Sequence, residues 1–164
     1  MGAPAGPAAG KRAGGALTVT APEGWAIRSF ADGDREAVVA LWDACGLLVP
    51  WNDPAADIAL ALSKPGSTIL VGTEDGRLVA SVMVGHDGHR GWFYYLAVDP
   101  ACRGRGYGAA MVAAAERWLA DAGMPKAQLL VRETNRRVMA FYERLGYAAS
   151  PVTMMQKWLK TPSP

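Results

Sequence analysis

The sequence predicts a mixed α/β (α+β) fold in which an antiparallel sheet is extended by a strand–helix–strand crossover. Three apolar runs between residues 68 and 98 are separated by turns that contain Asp-Gly, a spacing typical of an antiparallel meander. A glycine-rich loop and a helix-like stretch follow at 103–122, and a further apolar run follows at 127–132. A crossover of this kind makes the strands on its two sides parallel. Apolar residues spaced three and four apart predict four helices.

The composition is typical of a globular protein and excludes some partners. The chain of 164 residues is long enough for one domain with a substantial core, since 51% of its residues are hydrophobic and only 20% are charged. A formal net charge of +2 is too small to indicate nucleic-acid binding. No apolar run approaches the roughly 20 residues of a membrane span, so we expect neither a nucleic-acid partner nor a membrane partner.

The N-terminus and the cysteines bear on domain organisation and compartment. Residues 1–24 are rich in Gly, Ala and Pro and lack the basic start and compact apolar region of a signal peptide. We expect a flexible N-terminal arm at 1–24, a single domain at 25–164 and a cytoplasmic protein. Cys45 and Cys102 are far apart and show no metal-ligand spacing, so we expect no metal and a reducing compartment.

Two helices and four strands are predicted before the glycine-rich loop. The first helix is capped by Asp32 and ended by Gly46. The second begins at the cap-and-proline pair Asp53-Pro54 and stops by Pro65-Gly66. The strands are predicted at 26–30, 68–73, 78–85 and 92–98, with turns at 75–76 and 86–91.

Four further elements are predicted after the loop. Gly123 and Pro125 end the first helix, and Gly146 ends the second. In chain order the elements are a helix at 109–122, a strand at 127–132, a helix that Asn135 caps, and a closing strand at 152–158.

The segment Val98-Asp-Pro-Ala-Cys-Arg-Gly-Arg-Gly-Tyr-Gly108 is the most informative part of the chain. A strand that runs through a glycine loop into a helix presents unpaired backbone N–H groups at a helix N-terminus, where phosphate binds. The nucleoside-triphosphate pattern GxxxxGKS/T is absent. The dinucleotide pattern fits nominally at 104–109, but it normally opens the first βαβ unit of a parallel sheet, whereas here it follows a meander. A third pattern, R-x-x-G-x-G, spans 103–108.

Three signatures together carry a family resemblance. Leu96-Ala-Val-Asp-Pro100 precedes the R-x-x-G-x-G loop, and Phe141-Tyr-Glu-Arg-Leu-Gly-Tyr147 lies in the last predicted helix. With these three signatures in this order, residues 25–158 resemble the GNAT family of acyl-coenzyme A N-acyltransferases. The stretch Trp51-Asn-Asp-Pro54 and the turn Asp87-Gly-His-Arg-Gly91 resemble its small bacterial YpeA-like group. The resemblance implies a mostly antiparallel sheet of six to seven strands with four helices, whose central parallel pair splays apart to bind coenzyme A.

The resemblance also implies how acetyl-coenzyme A would bind as co-substrate. The backbone of Leu96, Ala97 and Val98 would hold the pantetheine arm, and the N–H near Val98 would polarise the thioester carbonyl. Asn135 would contact the coenzyme arm, or act only as a helix cap. Tyr142 would protonate the departing thiolate, or pack in the core, or do both. The pyrophosphate would lie on the loop residues Arg103, Gly104, Arg105, Gly106, Tyr107, Gly108 and Ala109.

The acceptor side of the site is less specific. The strand at 92–98 contains no Glu or Asp, so the base used by several members of the family is missing. Asp87, His89 and Glu133 are candidates for this base, although a turn explains the first two and a solvated loop explains the third. In the connection between the first two helices, which often lines the family's acceptor pocket, the candidates are Trp51, Asn52 and Asp53, with helix capping and one packed aromatic as the alternative.

We therefore expect an N-acetyltransferase that moves an acetyl group from acetyl-coenzyme A to a primary amine by direct attack in a ternary complex. The acceptor is expected to be a small molecule or a peptide amine, and the protein a monomer or homodimer. The missing strand carboxylate leaves open a second hypothesis, an acyl-coenzyme A sensor with little turnover. The nominal dinucleotide pattern leaves open a third, an NAD(P)-dependent oxidoreductase.

Overall fold

The computed structural model describes residues 24–159, so the arm predicted at 1–24 lies outside the described residues apart from Gly24. Two short 3₁₀ turns span Asp32–Asp34 and Pro100–Cys102. The strands are β1 (Trp25–Ser29), β2 (Ser67–Glu74), β3 (Arg77–His86), β4 (Gly91–Val98) and β5 (Ala127–Gln128). The helices are α1 (Arg35–Ala44), α2 (Pro54–Leu62), α3 (Tyr107–Asp121) and α4 (Arg136–Arg144).

The strands form one sheet in the order β1-β2-β3-β4-β5. The pairs from β1 to β4 are antiparallel, and β4 and β5 are parallel. The turn between β2 and β3 has Asp75 at φ 49° and Gly76 at φ 81°, as a two-residue type I′ hairpin requires. The predicted meander and the parallel strand after the crossover are both confirmed.

Helices cover both faces of the sheet. On one face, α1 and α2 bury Trp42 and Ile58 against the sheet. On the other face, α3 and α4 bury Met111 and Tyr142. Because helices cover both faces of the central strands, a ligand can contact these strands only at their edges and ends.

β4 and β5 separate soon after they begin. They pair only at Gly91 with Ala127 and at Trp92 with Gln128. Over 93–98 the edge of β4 has no strand beside it among the described residues. Such an edge presents unpaired backbone N–H and C=O groups. The predicted splaying of the central parallel pair is therefore confirmed.

Two predicted strands differ from the structure. The strand predicted at 127–132 is only the two-residue β5, and the closing strand predicted at 152–158 does not form. The short β5 accounts for the missing closing strand, since a strand needs a neighbouring edge and a two-residue strand offers almost none. Apolar side chains of the closing segment, such as Val152 and Met155, are exposed. Within residues 24–159 the sheet has five strands, and the predicted count of six to seven is wrong.

The start of α1 also differs from the prediction. The helix begins at Arg35, after a 3₁₀ turn, and not at the predicted Asp32 cap. Asp34 satisfies the polar groups at this corner instead. Its carboxylate accepts the N–H of Ala31 at 2.8 Å and pairs with the guanidinium of Arg28 at 2.6 Å.

Candidate active site

The glycine-rich loop runs directly into the N-terminus of α3. Gly104 (φ 79°) and Gly106 (φ 86°) are both left-handed, which turns the chain sharply into the helix. Gly106 takes the cap position, so α3 begins at Tyr107, before its predicted start at Ala109. The N–H of Ala110 donates to the Gly106 carbonyl at 3.0 Å, and the N–H groups of 107–109 lack helical acceptors. A helix N-terminus built in this way binds anions.

Glu74 of β2 holds the side chains of this loop. Its carboxylate forms an ion pair with Arg105 and accepts a hydrogen bond from the Tyr107 hydroxyl. These two bonds, the one from Tyr107 first, hold the pKa of Glu74 below its ordinary value. Tyr107 is buried and stacks on Trp25 with ring centroids 4.3 Å apart. Arg105 thus fastens the loop to the sheet, whereas Arg103 is exposed and forms no ion pair within residues 24–159.

The backbone of Val98 faces the unpaired edge of β4. The N–H of Asp99 donates to the carbonyl of Val79 on β3 at 2.8 Å. Since neighbouring residues of an antiparallel strand direct their N–H and C=O groups to opposite sides, those of Val98 point away from β3. From the end of α1, the Cys45 thiol lies 3.3 Å from the Val98 carbonyl oxygen. The N–H of Val98 is directed to the side from which β5 has departed.

A β-bulge in β4 places two tyrosines on one face of the sheet. The register with β3 shifts between Ser81 and Met83, and Tyr95 has a left-handed φ of 50°. This conformation is rare for a bulky residue and costs of order 1–3 kcal/mol. Tyr94 and Tyr95 consequently line the same cleft, although strict alternation would send them to opposite faces. The bulge is invisible in the sequence pattern, which is why neither tyrosine was predicted.

Tyr95 is the centre of a hydrogen-bonded network beside α2. Its hydroxyl donates to Asp57 Oδ2 at 2.7 Å and accepts from Asn52 Nδ2 at 3.1 Å. Burial, and next the bond to Asp57, raises the pKa of Tyr95 to about 12. Its ring stacks on Trp42 with centroids 4.0 Å apart, and the Trp42 Nε1–H donates to the buried Ser81 hydroxyl at 2.9 Å. Asn52 was predicted, whereas Asp57 was missed because an acid in a helix is ordinarily solvated.

These residues open onto a cleft of about 530 Å³ between α2 and the adjoining ends of β3 and β4. This volume lies in the range of small-molecule sites. Asn52 and Asp87 are the predicted acceptor-side residues that line it. Much of the wall is apolar or aromatic and is formed by Leu60, Ala61, Met83, Val84, Trp92, Tyr94 and Tyr95.

The Asp87 carboxylate lines this cleft and accepts three hydrogen bonds from residues close to it in the chain. Asp87 Oδ1 accepts the backbone N–H groups of His89 at 2.8 Å and Arg90 at 2.7 Å, and Oδ2 accepts from Trp92 Nε1 at 3.3 Å. These bonds lower the pKa of Asp87 to about 2. A carboxylate stabilised so strongly is a poor proton acceptor, and its bonds support the turn-forming alternative for Asp87 and His89.

The remaining acceptor-side candidates lie away from the cleft lining. Asp53 caps α2, since its Oδ1 accepts the N–H groups of Ala55 at 2.9 Å and Ala56 at 3.1 Å. Trp51 is half exposed. Glu133 is exposed in the turn before α4. The structure therefore brings Asn52 and Asp87 to the cleft and leaves the other predicted acceptor-side residues outside its lining, namely Trp51, Asp53, His89 and Glu133.

Asn135 and Tyr142 lie on the other side of the splayed pair, in and before α4. Asn135 Oδ1 accepts the N–H of Val138 at 3.2 Å, so Asn135 is the predicted cap. Tyr142 is 8% exposed, and its ring meets Phe141 and Tyr147 edge to face at 5.0 and 5.4 Å. Burial raises the pKa of Tyr142 to about 12. Its hydroxyl takes part in no side-chain hydrogen bond of the described range, and since every fully buried polar side-chain atom there has a partner, this hydroxyl reaches the surface, where a ligand can contact it.

The described residues contain neither a membrane-spanning helix nor a cluster of metal ligands. No helix there is both long enough and apolar enough to cross a membrane. In the same part of the chain, no three His, Cys, Asp or Glu side chains come together as metal ligands.

Comparison with known proteins agrees with this geometry. The sequence profile of the Acetyltransferase (GNAT) family matches residues 35–147. A protein named acetyltransferase from Yersinia enterocolitica is 44% identical over 133 residues, which cover 81% of this chain and 94% of that protein. Another acetyltransferase, from Pectobacterium atrosepticum, is 48% identical over 121 residues, which cover 74% of this chain and 86% of the relative.

A solved structure shows the same fold with much lower identity. The structure of AAC(6')-Iy, in complex with the bisubstrate analogue CoA-S-monomethyl-acetylneamine, superposes with a TM-score of 0.71 at 17% identity. The match covers 82% of this chain and 97% of that one. Taken with the family profile and the close relatives, the splayed strands and the glycine-rich loop lead to one conclusion: this chain belongs to the GNAT family and is an acyl-coenzyme A-dependent N-acetyltransferase.

Proposed function

We propose that the protein transfers an acetyl group from acetyl-coenzyme A to a primary amine in a ternary complex. One observation carries the proposal. The unpaired edge of β4 at 93–98 leads at one end to the anion-binding start of α3, and the bulge in the same strand adjoins the cleft on the α2 side. Acetyl-coenzyme A would lie along this edge with its pyrophosphate at the start of α3. The amine would approach the thioester from the other end, where the cleft lies.

The donor half of the proposal rests on backbone groups. The free N–H groups of 107–109 would bind the pyrophosphate, helped by the positive end of the α3 dipole. A Cβ built at Gly104 meets nothing within 4 Å, so the space outside the loop is open to a ligand. The pantetheine amides would pair with the edge of β4 as an added strand does. In AAC(6')-Iy, the related fold holds a coenzyme A bisubstrate analogue.

The chemical step needs an oxyanion donor and a proton donor. The Val98 N–H would polarise the thioester carbonyl. The amine nitrogen, having lost a proton to water, forms the new C–N bond while the C–S bond breaks, and the sulfur leaves with the electron pair of that bond. The nitrogen then loses a second proton to water as the amide forms, and Tyr142 regains a proton from water after it has protonated the thiolate. The Tyr142 hydroxyl, protonated because burial raises its pKa, would give its proton to the leaving thiolate.

The surroundings of the two cysteines favour direct attack by the amine over a mechanism in which a cysteine carries the acetyl group. Cys102 is buried, and the Arg77 guanidinium lies 3.5 Å from its sulfur, at the phosphate end of the site. Cys45 directs its thiol to the Val98 carbonyl oxygen. Within the described residues, the Cys45 thiol has no basic side chain in hydrogen-bond contact, and Cys102 contacts only the Arg77 guanidinium, which is always protonated and cannot accept the thiol proton as a base would.

Thermal melting and thiol release together test this proposal. We expect coenzyme A and acetyl-coenzyme A to raise the melting temperature and NAD to leave it unchanged. We also expect free thiol to be released from acetyl-coenzyme A when a primary amine is added. Stabilisation by NAD alone would overturn the proposal in favour of an oxidoreductase. Stabilisation by coenzyme A without thiol release, over a panel of amines and peptides, would instead identify a sensor.

A further inference from the structure

We infer that the acceptor is a small monocationic amine on an apolar, preferably aromatic, body, with its ammonium group bound at Asp57. This inference rests on the proposed function, since it concerns the acceptor half of the same site. It names the charge, the shape and the anchoring residue of the substrate. The cleft beside Tyr95 supplies the three observations that support it.

The first observation is a carboxylate with no cation. Asp57 lines the cleft and is partly buried, and the Tyr95 hydroxyl bonds to its Oδ2 at 2.7 Å. In the described range its Oδ1 has no hydrogen-bond partner, and Asp57 forms no ion pair. A charged group of this kind gains most from a ligand cation, because desolvation without a partner is unfavourable.

The second observation is that this carboxylate is held in place. Tyr95 is clamped by its stack on Trp42 and by the hydrogen bond from Asn52. Trp42 is itself fixed by its bond to Ser81, and both of these residues are fully buried. The strained φ of Tyr95 is what brings its hydroxyl to Asp57 on the same face as Tyr94. Backbone strain of this kind persists where the surroundings enforce it, which is typical of binding sites.

The third observation is the apolar wall around the carboxylate. Leu60 is 68% exposed and Tyr94 is 48% exposed, and both line the cleft. Trp92 lines it too, with its indole fixed by Asp87. An aromatic face beside a carboxylate favours an ammonium ion attached to an apolar body, since the ring attracts the cation and buries the body.

Charge balance argues against acceptors with several positive groups. The other carboxylate that lines the cleft, Asp87, already accepts two N–H bonds from the backbone of its own turn and one from the Trp92 indole. Lys64 also lines the cleft and would repel additional cations. One ammonium group is matched here, whereas a polyamine or an aminoglycoside would place unmatched charges beside Lys64.

The test compares acceptors and variants in steady-state thiol release. The acceptors are tryptamine and phenethylamine, the polyamine spermidine, an aminoglycoside, and a short peptide with a free N-terminus. We expect kcat/KM to be at least about tenfold higher for the two aryl amines than for the others. Asp57→Asn keeps an acceptor for the Tyr95 hydroxyl, so we expect it to fold and to raise the KM for tryptamine about tenfold, while the KM for acetyl-coenzyme A stays unchanged.

A matched control removes the same charge elsewhere. Asp43→Asn alters an exposed carboxylate on α1, outside the cleft, and should leave both KM values unchanged. Equal KM shifts in the two variants would overturn the assignment of Asp57, and a preference for spermidine, the aminoglycoside or the peptide would overturn the substrate class. Both failures occur in a protein that still releases thiol. Failure of the proposed function is distinct, because no amine would then release thiol from the wild-type protein.

Discussion

The hydroxyl of Tyr107, the first residue of α3, donates a hydrogen bond to the carboxylate of Glu74 at the end of β2. The same carboxylate forms an ion pair with Arg105. One acidic side chain in the antiparallel part of the sheet therefore positions both the glycine-rich loop and the helix that follows it. Arg105, one of the two loop arginines that the family resemblance placed at the pyrophosphate, is used to position the loop.

The first prediction concerns Glu74→Gln, which removes the charge and keeps the size. Arg105 then loses its ion pair, and we expect coenzyme A affinity to fall several-fold because the loop is less well fixed. Calorimetric titration measures this affinity. Tyr107→Phe is the control, since it removes one hydrogen bond and leaves the ion pair with Arg105, and it should weaken binding less. Equal losses in the two variants would show that the ion pair does not position the loop.

Acid should abolish the difference in stability between the wild-type protein and Glu74→Gln. The folded protein lowers the pKa of Glu74, so the charged carboxylate contributes stability above the ordinary glutamate pKa of about 4.3. That contribution is lost as the pH falls through the lower folded-state pKa. We expect a gap between the two melting temperatures at pH 7 that closes in strongly acidic buffer. A gap that widens toward low pH would contradict this assignment.

The glycine-rich loop offers a second prediction with a matched control. Gly104 (φ 79°) and Gly123 (φ 78°) have the same left-handed backbone, and a Cβ at either meets nothing within 4 Å. Replacement of either by Ala should cost about 1–2 kcal/mol of stability from backbone strain. Only Gly104→Ala should also weaken coenzyme A binding, because its Cβ occupies the space where the pyrophosphate would lie. Urea unfolding and coenzyme titration separate the two effects, and equal binding in both variants would contradict the loop's role.

The donor half of the site could be predicted from the sequence because it depends on local rules. Gly104 and Gly106 adopt the left-handed conformations that glycine favours, and a glycine loop before an apolar-faced helix predicts the unpaired N–H groups that the structure shows. Asn135 and Asp53 cap the helices they were predicted to cap. Each of these features depends on residues within a few positions of one another in the chain.

Apart from Asn52 and Asp87, the proposed acceptor half could not be predicted, because it depends on distant contacts. The partner of Tyr95 on α2 is Asp57, and the residue that orders the ring beneath it is Trp42 on α1. A bulge in β4 brings them together, and no pattern of alternation reveals where a strand gains an extra residue. The strand predicted at 152–158 is wrong for the same kind of reason. Its apolar residues form a strand only where a neighbouring strand offers an edge to pair with.

A third prediction tests the buried support of Tyr95. Ser81→Ala leaves the Trp42 indole N–H without a partner in a fully buried position. The expected loss of stability is about 1–3 kcal/mol. Ser63→Ala is the control, because the Ser63 hydroxyl bonds the Leu60 carbonyl at an exposed position, and its loss should stay within about 0.5 kcal/mol. Urea unfolding measures both variants, and a Ser81→Ala loss as small as that of the control would show that the indole finds another acceptor.

The last prediction assigns a chemical role to Tyr142 apart from its packing. Tyr142→Phe keeps the ring that meets Phe141 and Tyr147 and removes only the hydroxyl, so we expect turnover to fall about 100-fold while coenzyme A affinity is unchanged. Since burial raises the pKa of Tyr142 to about 12, the hydroxyl stays protonated up to about pH 10 and should add no alkaline limb to the rate. Tyr147→Phe is the control, because it removes a hydroxyl that donates to Glu116 at 2.8 Å and should leave turnover near that of the wild type. Single-turnover thiol release measures the chemical step, and an unchanged rate for Tyr142→Phe would show that Tyr142 acts only in the core.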